Sequence, residues 1–164
     1  EYPNAVLNPY LLPEKSKTYE VGLSSAFYKK RLNVDVTYYR VLDSNFIIDY
    51  PVSEASGFNN MKVNGNEYTT NGWEISLTGA VVKNDNFQWN SAINWSARTR
   101  RLTKIHEDAE RFGDLRLNDR VDSYYGVDWM KSPDGKVILD EKTGMPTANK
   151  QAAYLGHKDP KWTL

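Results

Sequence analysis

Trp73-Glu74-Ile75-Ser76-Leu77-Thr78-Gly79-Ala80 is followed, across Lys83-Asn84-Asp85-Asn86, by Trp89-Asn90-Ser91-Ala92-Ile93-Asn94-Trp95-Ser96. In both strings the large apolar residues fall on one parity and polar or small residues fill the other. A period of two sends successive side chains to opposite faces of an extended chain. β-branched and aromatic residues dominate the apolar parity, which argues against helix. The same alternation runs upstream. Tyr19, Val21, Leu23, Ser25 and Phe27 share one face of Thr18–Tyr28, against Glu20, Gly22, Ser24 and Ala26. From Leu32 to about Ile48, Leu32, Val34, Val36 and Tyr38 alternate with Asn33, Asp35, Thr37 and Tyr39. Four strands are expected: 18–28, 32–48, 73–82 and 87–100.

Their connections are unequal. Only Lys29-Lys30-Arg31 separates the first pair, and Lys83–Asn86 the second, whereas Asp49–Gly72 and the tail after Leu102 are long and rich in turn residues. Long strands with short turns at one end and long loops at the other are the pattern of a bacterial outer-membrane barrel wall. A tilted transmembrane strand needs about 9–11 residues, which each stretch supplies. Short turns lie on the periplasmic side in such walls, so the strands descend, rise, descend and rise, and 49–72 and 102–160 become two long extracellular loops. By parity Val21, Val34, Ile75 and Trp95 face the membrane, and Glu20, Asp35, Glu74 and Asn94 face the lumen. Tyr19, Phe27, Trp73, Trp89 and Trp95 are expected in interfacial girdles.

Composition is compatible with this. Lys plus Arg number 21 and Asp plus Glu 21, so no net field draws in nucleic acid. The absence of cysteine excludes disulfides and thiolate metal sites. No apolar run approaches the roughly 18 residues of a transmembrane helix. The chain opens on Glu1-Tyr2-Pro3-Asn4 without an initiator Met or a signal peptide, and is read as a mature fragment or internal piece. Five Trp and eleven Tyr also suit a different class, a soluble β-sandwich carbohydrate-binding module with aromatic stacking platforms.

Particular strings resemble the SusC/RagA-like TonB-dependent outer-membrane transporters of Bacteroidota. They are Leu12-Pro13-Glu14-Lys15-Ser16-Lys17-Thr18-Tyr19-Glu20-Val21-Gly22-Leu23, Arg31-Leu32-Asn33-Val34-Asp35-Val36-Thr37-Tyr38-Tyr39, Asn71-Gly72-Trp73-Glu74-Ile75-Ser76-Leu77 and Phe87–Ser96. Tyr124-Tyr125-Gly126-Val127-Asp128-Trp129 and Leu155-Gly156-His157-Lys158-Asp159-Pro160-Lys161-Trp162 look like the long loop before that family's next strand. The resemblance implies an all-β, antiparallel transmembrane barrel segment: four or five strands of a barrel of about 22 whose lumen is plugged. Residues 1–164 are then one partial barrel domain, from the later half of the barrel, without plug, TonB box or closing strand. Four or five strands cannot close a barrel, so independent stability is not expected. The implied role is active import of oligosaccharides or peptides. Its implied partners are a SusD-like surface lipoprotein as lid, and TonB–ExbB–ExbD reached through the plug.

Candidate chemistry is sparse. His106 and His157 have no partners at ligand spacing, so neither suggests a metal. Ser132-Pro133-Asp134-Gly135 and Asp140-Glu141-Lys142-Thr143-Gly144 lack the alternating ligands of a calcium loop and are read as turns around a small hairpin at Lys136–Leu139. No nucleophile elbow, zinc motif or phosphate loop occurs. Glu20 and Glu74 are read as solvated lumen carboxylates rather than a glycosidase pair. No catalysis and no cofactor are expected. Arg98 and Arg100 continue the lumen parity, where they are candidates for plug carboxylates or an acidic substrate, while Arg101 points outward towards lipopolysaccharide phosphates. Tyr124, Tyr125 and Trp129 are candidates either for stacking on substrate or for packing the loop.

Overall fold

The computed structural model describes residues 5–6 and 8–164. Glu1–Asn4, on which the chain's opening was read, lie outside the described residues. The chain falls into two units, one of Glu1–Val121 with Pro160–Leu164 and one of Asp122–Asp159. In the first, the strands are β1 (Ala5–Val6), β2 (Lys15–Phe27), β3 (Leu32–Ser44), β4 (Ile47–Pro51), β5 (Asn60–Asn64), β6 (Glu67–Lys83), β7 (Gln88–Lys104), β8 (Arg111–Phe112) and β9 (Leu115–Arg116). The second holds β10 (Ser123–Trp129) and β11 (Ala148–His157).

The four expected strands form one antiparallel sheet in the order β2-β3-β6-β7. Its register aligns Leu23, Val36, Ile75 and Trp95 in one row and Ser24, Asp35, Ser76 and Asn94 in the next. One face is therefore apolar and the other polar along the whole wall. On the apolar face Val21 is 73% exposed and Leu23 68%, so nothing among the described residues covers them. The total surface, 12826 Å² for 18.8 kDa, exceeds the roughly 8,300 Å² of a water-soluble globule this size. A soluble sandwich would bury this face beneath a second sheet. The apolar face instead awaits lipid.

The strand ends differ from the expectation at the loop side. The alternation runs on to Ile48, but Asn45 adopts φ 60 and ends β3 at Ser44. Ile47 starts a separate hairpin, β4–β5, to which β1 adds in parallel. Asn64 secures that hairpin by accepting from the Leu12 amide (2.6 Å) and donating to the Leu12 and Asn45 carbonyls (2.8 and 2.9 Å). Conversely β6 begins six residues before Trp73, and β7 continues past Arg100 to Lys104. Thr69, Thr70 and Asn71 are polar on both faces, so this extension above the membrane has no alternation to reveal it. A small core sits there, with Val63, Leu102 and Ile105 buried. Buried Asn66 donates to the Tyr68 hydroxyl (3.4 Å) and accepts from the His106 amide (3.3 Å).

The girdle expectation needs one correction. Tyr38 and Trp73 pair at the loop side of the apolar band, their ring centroids 4.9 Å apart. Trp95, by contrast, lies mid-band in the row of Leu23, Val36 and Ile75. Parity alone assigns a face but not a depth.

β7 carries further pairing on its free edge. The Leu102 amide donates to Asp119, the Val121 amide to Arg100, and Arg101 faces Arg120. Lower down, Ser96 and Thr163 exchange both backbone hydrogen bonds (3.0 and 2.8 Å). Their hydroxyls also meet at 2.7 Å. The expected start of a fifth strand after Trp162 thus has its first rung.

Candidate functional site

The polar face is the surface that solutes would meet. Ser24 donates to Asp35 and Ser76 donates to Asn94 (2.8 Å), so this row is cross-linked strand to strand. One row towards the loops lie Gly22, Thr37, Glu74 and Ser96, and beyond them Glu20, Tyr39, Gly72 and Arg98. Glu20 and Glu74 stand on strands separated by β3, not side by side. Tyr39 lies flat over Gly72, where an added Cβ would come within 2.2 Å of its ring carbon Cζ. Glycine at 72 leaves the backbone bare so that the ring can cover it.

The two lumen arginines have different surroundings. Arg98 is exposed. Arg100 reaches across the wall to Asp43, with Nη2 3.1 Å from Oδ2. Its guanidinium also lies 4.6 Å from the Tyr68 ring centroid and 5.4 Å from that of Phe46. Those two rings meet edge to face at 5.0 Å. Phe46 belongs to the segment leaving β3 for the β4–β5 hairpin, so Arg100 joins β7 to the root of the first long loop. Sequence parity placed Arg100 on the correct face but could not show that its charge has an internal partner. Arg101, on the outward parity, donates from Nη1 to the Asn118 carbonyl (2.7 Å).

A second polar cluster sits near the 3₁₀ turn His106–Asp108. The Tyr50 hydroxyl donates to Glu107 (3.1 Å), and the His106 ring packs edge-on against Tyr50 at 4.8 Å. The Glu107 carboxylate accepts that hydrogen bond and adds negative charge nearby, which together hold the Tyr50 phenol above its usual pKa. Sequence reasoning missed this cluster, since its members are 57 residues apart with no motif.

In the second unit β10 and β11 form an antiparallel pair. Tyr125 packs edge-on against Tyr154 at 5.7 Å, and the Tyr154 hydroxyl is 2.9 Å from His157 Nε2. Tyr124 points to the other face of β10, where Lys158 lies 5.8 Å from its ring. Tyr124 and Trp129 are 48% and 49% exposed, and they occupy opposite faces of β10. The three aromatics therefore do not make one stacking platform.

The two acidic strings are turns. Gly135 (φ 82) returns its amide to Ser132, and Gly144 (φ 68) returns its amide to Asp140. The Asp140 carboxylate accepts from the amides of Thr143 and Lys142 and from the Thr143 hydroxyl, which holds its pKa below the usual carboxylate range. Asp128 is depressed likewise, first by Lys131 (3.0 Å) and then by the Trp129 amide. The expected single hairpin is instead three short limbs that close on one another: the Ile138 amide donates to the Met130 carbonyl, the Thr147 amide to Ile138 and the Met130 amide to Thr147. Among the described residues no group of three or more His, Asp or Glu is placed to hold a metal ion.

A twisted antiparallel wall with one lipid-ready face, one polar face and unequal connections defines a section of an outer-membrane β-barrel. A family profile described as "TonB dependent receptor-like, beta-barrel" matches residues 1–159, and the chain belongs to that family, whose members reside in the bacterial outer membrane and are transporters, not enzymes. Curated relatives include TonB-dependent receptor P3 of Formosa agariphila, 26% identical over 135 residues covering 74% of this chain and 14% of the relative. TonB-dependent receptor P39 of the same organism is 24% identical over 95 residues, covering 58% of this chain and 9% of its own. The chain thus spans about one-seventh, or less, of these relatives. Among solved structures, the RagAB peptide importer in its open-open state superposes with a TM-score of 0.74 at 18% identity, covering 94% of this chain and 19% of that one. Another structure, of the RagAB peptide transporter, gives 0.62 at 18% identity, over 86% and 17%. At that identity the likeness concerns fold.

Proposed function

We propose that this chain is a section of the pore wall of a SusC/RagA-like TonB-dependent importer that takes up oligosaccharides or peptides. The observation that carries the proposal is the two-faced β2-β3-β6-β7 sheet, matched over nearly its whole length by a TonB-dependent receptor barrel family. The residues 1–164 supply wall and outer loops of a longer barrel domain, whose plug performs the gating. A SusD-like surface lipoprotein covers the loops from outside, and TonB–ExbB–ExbD supplies energy. The naming of two solved neighbours as peptide importers favours a peptide cargo over an oligosaccharide.

Within this reading Arg98 is the lumen cation available to plug or cargo carboxylates, while Arg100 serves the wall through Asp43. Arg101 keeps donors for lipopolysaccharide phosphate beyond the one given to Asn118. Tyr125 packs the loop, and Tyr124 and Trp129 offer exposed rings for contact with cargo or lid. The test is uptake of a labelled oligopeptide pool and a labelled oligosaccharide pool by cells that carry or lack the full-length gene, with and without TonB. Loss of uptake of one pool on deletion of either supports the proposal. Unchanged uptake of both pools in both deletions would overturn it.

A further inference from the structure

On the outward face, at the short-turn end of the wall, lies a groove of about 440 Å³. That volume is within the roughly 300–1,000 Å³ range of small-molecule sites. It exists because the row Phe27, Leu32, Gly79, Ser91 ends in two small residues. An extra residue in β6, between the Ala80 and Val82 pairings, buckles the strand beside them. The floor is apolar, built from Leu32, Leu77 and Ile93, and the rim carries Tyr28 and Arg31. The floor and rim come from β3, β6, the edge strand β7 and the β2–β3 turn.

The turn is built to place Arg31 there. Tyr28, Lys29 and Lys30 adopt φ 51, 57 and 64 in succession, and the Arg31 amide closes back on Phe27 (3.1 Å). The Arg31 carbonyl accepts from Ala80 (2.9 Å), which seats the turn against β6. A Cβ on residue 79 would come within 2.5 Å of that carbonyl oxygen, so only glycine lets the turn approach. Lys29, Lys30 and Lys83 line the lumen side of the same rim, which Arg31 also borders, so four cations gather at this end of the wall.

We propose that this groove holds one phospholipid of the periplasmic leaflet, with its phosphate on Arg31 and an acyl chain along Leu32, Leu77 and Ile93. The lipid-facing parity supplies the apolar floor, and the short turns put the basic rim at headgroup depth. A guanidinium matches a phosphate diester with two parallel hydrogen bonds, and Tyr28, on the same rim, carries a hydroxyl that can donate as well. The proposal rests on the membrane orientation of the wall and not on its cargo.

The test is native mass spectrometry of the full-length transporter in non-ionic detergent, titrated with a short-chain phosphatidylglycerol. Arg31→Gln removes the phosphate partner from an exposed side chain, and Ser91→Phe fills the groove while leaving Arg31 intact. Each should weaken the tightest lipid about tenfold, the worth of one charge-assisted hydrogen-bonding group. Lys142→Gln, an equal charge change in the Asp140 turn, should leave binding as in wild type. Circular dichroism confirms that each variant keeps its β-structure. Equal lipid binding in wild type and Arg31→Gln would overturn the proposal. So would displacement of the lipid by inorganic phosphate at matching concentration, which would mark a simple anion site. Because lipid mass is the readout, the result stands apart from any failure of the import reading.

Discussion

Replacing Arg100 with Ala should loosen the root of the first long loop. The guanidinium makes one ion pair, at 3.1 Å from Asp43, with side-chain exposures of 38% and 16%. Partial exposure puts that pair at the low end for a charge-assisted hydrogen bond, about 1.5 kcal/mol. Stacking on Tyr68 and Phe46 adds about 0.5–1 kcal/mol for each ring. Together they contribute about 2.5–3.5 kcal/mol, equivalent to about a hundredfold or somewhat more in a local opening equilibrium. The reporter amides are those of Phe46, bonded to Asn66 at 3.3 Å, and Gly65, bonded to Phe46 at 2.8 Å. Hydrogen exchange of the segment 45–66 in the full-length transporter reads their opening directly. Arg100→Ala should speed it about a hundredfold, and Asp43→Asn, which keeps the stacking, about tenfold. The double variant should match Arg100→Ala alone, since Asp43 acts there through Arg100. Exchange in Arg100→Ala within about twofold of wild type would refute the reasoning, because losses of this size cannot hide in that interval.

Gly72→Ala should lower the thermal unfolding temperature of the detergent-solubilised transporter by overpacking worth about 1–3 kcal/mol, and adding Tyr39→Ala should recover most of it. The Asp140 turn should lose order in acid: its depressed carboxylate stabilises the folded turn above the usual carboxylate pKa and ceases to as pH falls through the lowered one. Amide exchange at Lys142 and Thr143, corrected for intrinsic pH dependence, should rise only below the usual carboxylate range. Glu107→Gln should bring Tyr50 ionisation back down towards an ordinary phenol, seen as an earlier rise in ultraviolet phenolate absorbance.

The wall was legible because lipid and lumen demand opposite chemistry from neighbouring residues. Val36, Ile75 and Trp95 could not exchange places with Asp35, Ser76 and Asn94 without burying charge in hydrocarbon. Where both faces meet water the code fails, so Thr69–Asn71 and Leu102–Lys104 gave no sign of belonging to strands. The break at Asn45 was hidden for the converse reason: Phe46, Ile47 and Ile48 remain apolar but serve a different sheet. The candidate site was legible only as far as parity reaches. Parity put Arg98 and Arg100 on one face, yet the partners that distinguish them, Asp43, Phe46 and Tyr68, come from strands whose alignment depends on register. Tyr124, Tyr125 and Trp129 read as a cluster in sequence, and the two sides of β10 divide them.

The edge pairing of β7 implies something about how such a wall acquires new loops. Arg101 faces Arg120 and Ser96 faces Thr163, so five steps along β7 correspond to forty-three along its partner, an excess of thirty-eight. The unit Asp122–Asp159 contains thirty-eight residues. Joining Val121 to Pro160 would restore one unbroken strand in the same register, with Thr163 still opposite Ser96. The unit Asp122–Asp159 is thus an insertion of even length in the chain that pairs with β7, which keeps the two faces of the wall unexchanged on either side of it. Evolution, or an engineer, can swap that insertion for another of even length while the staves stay in step.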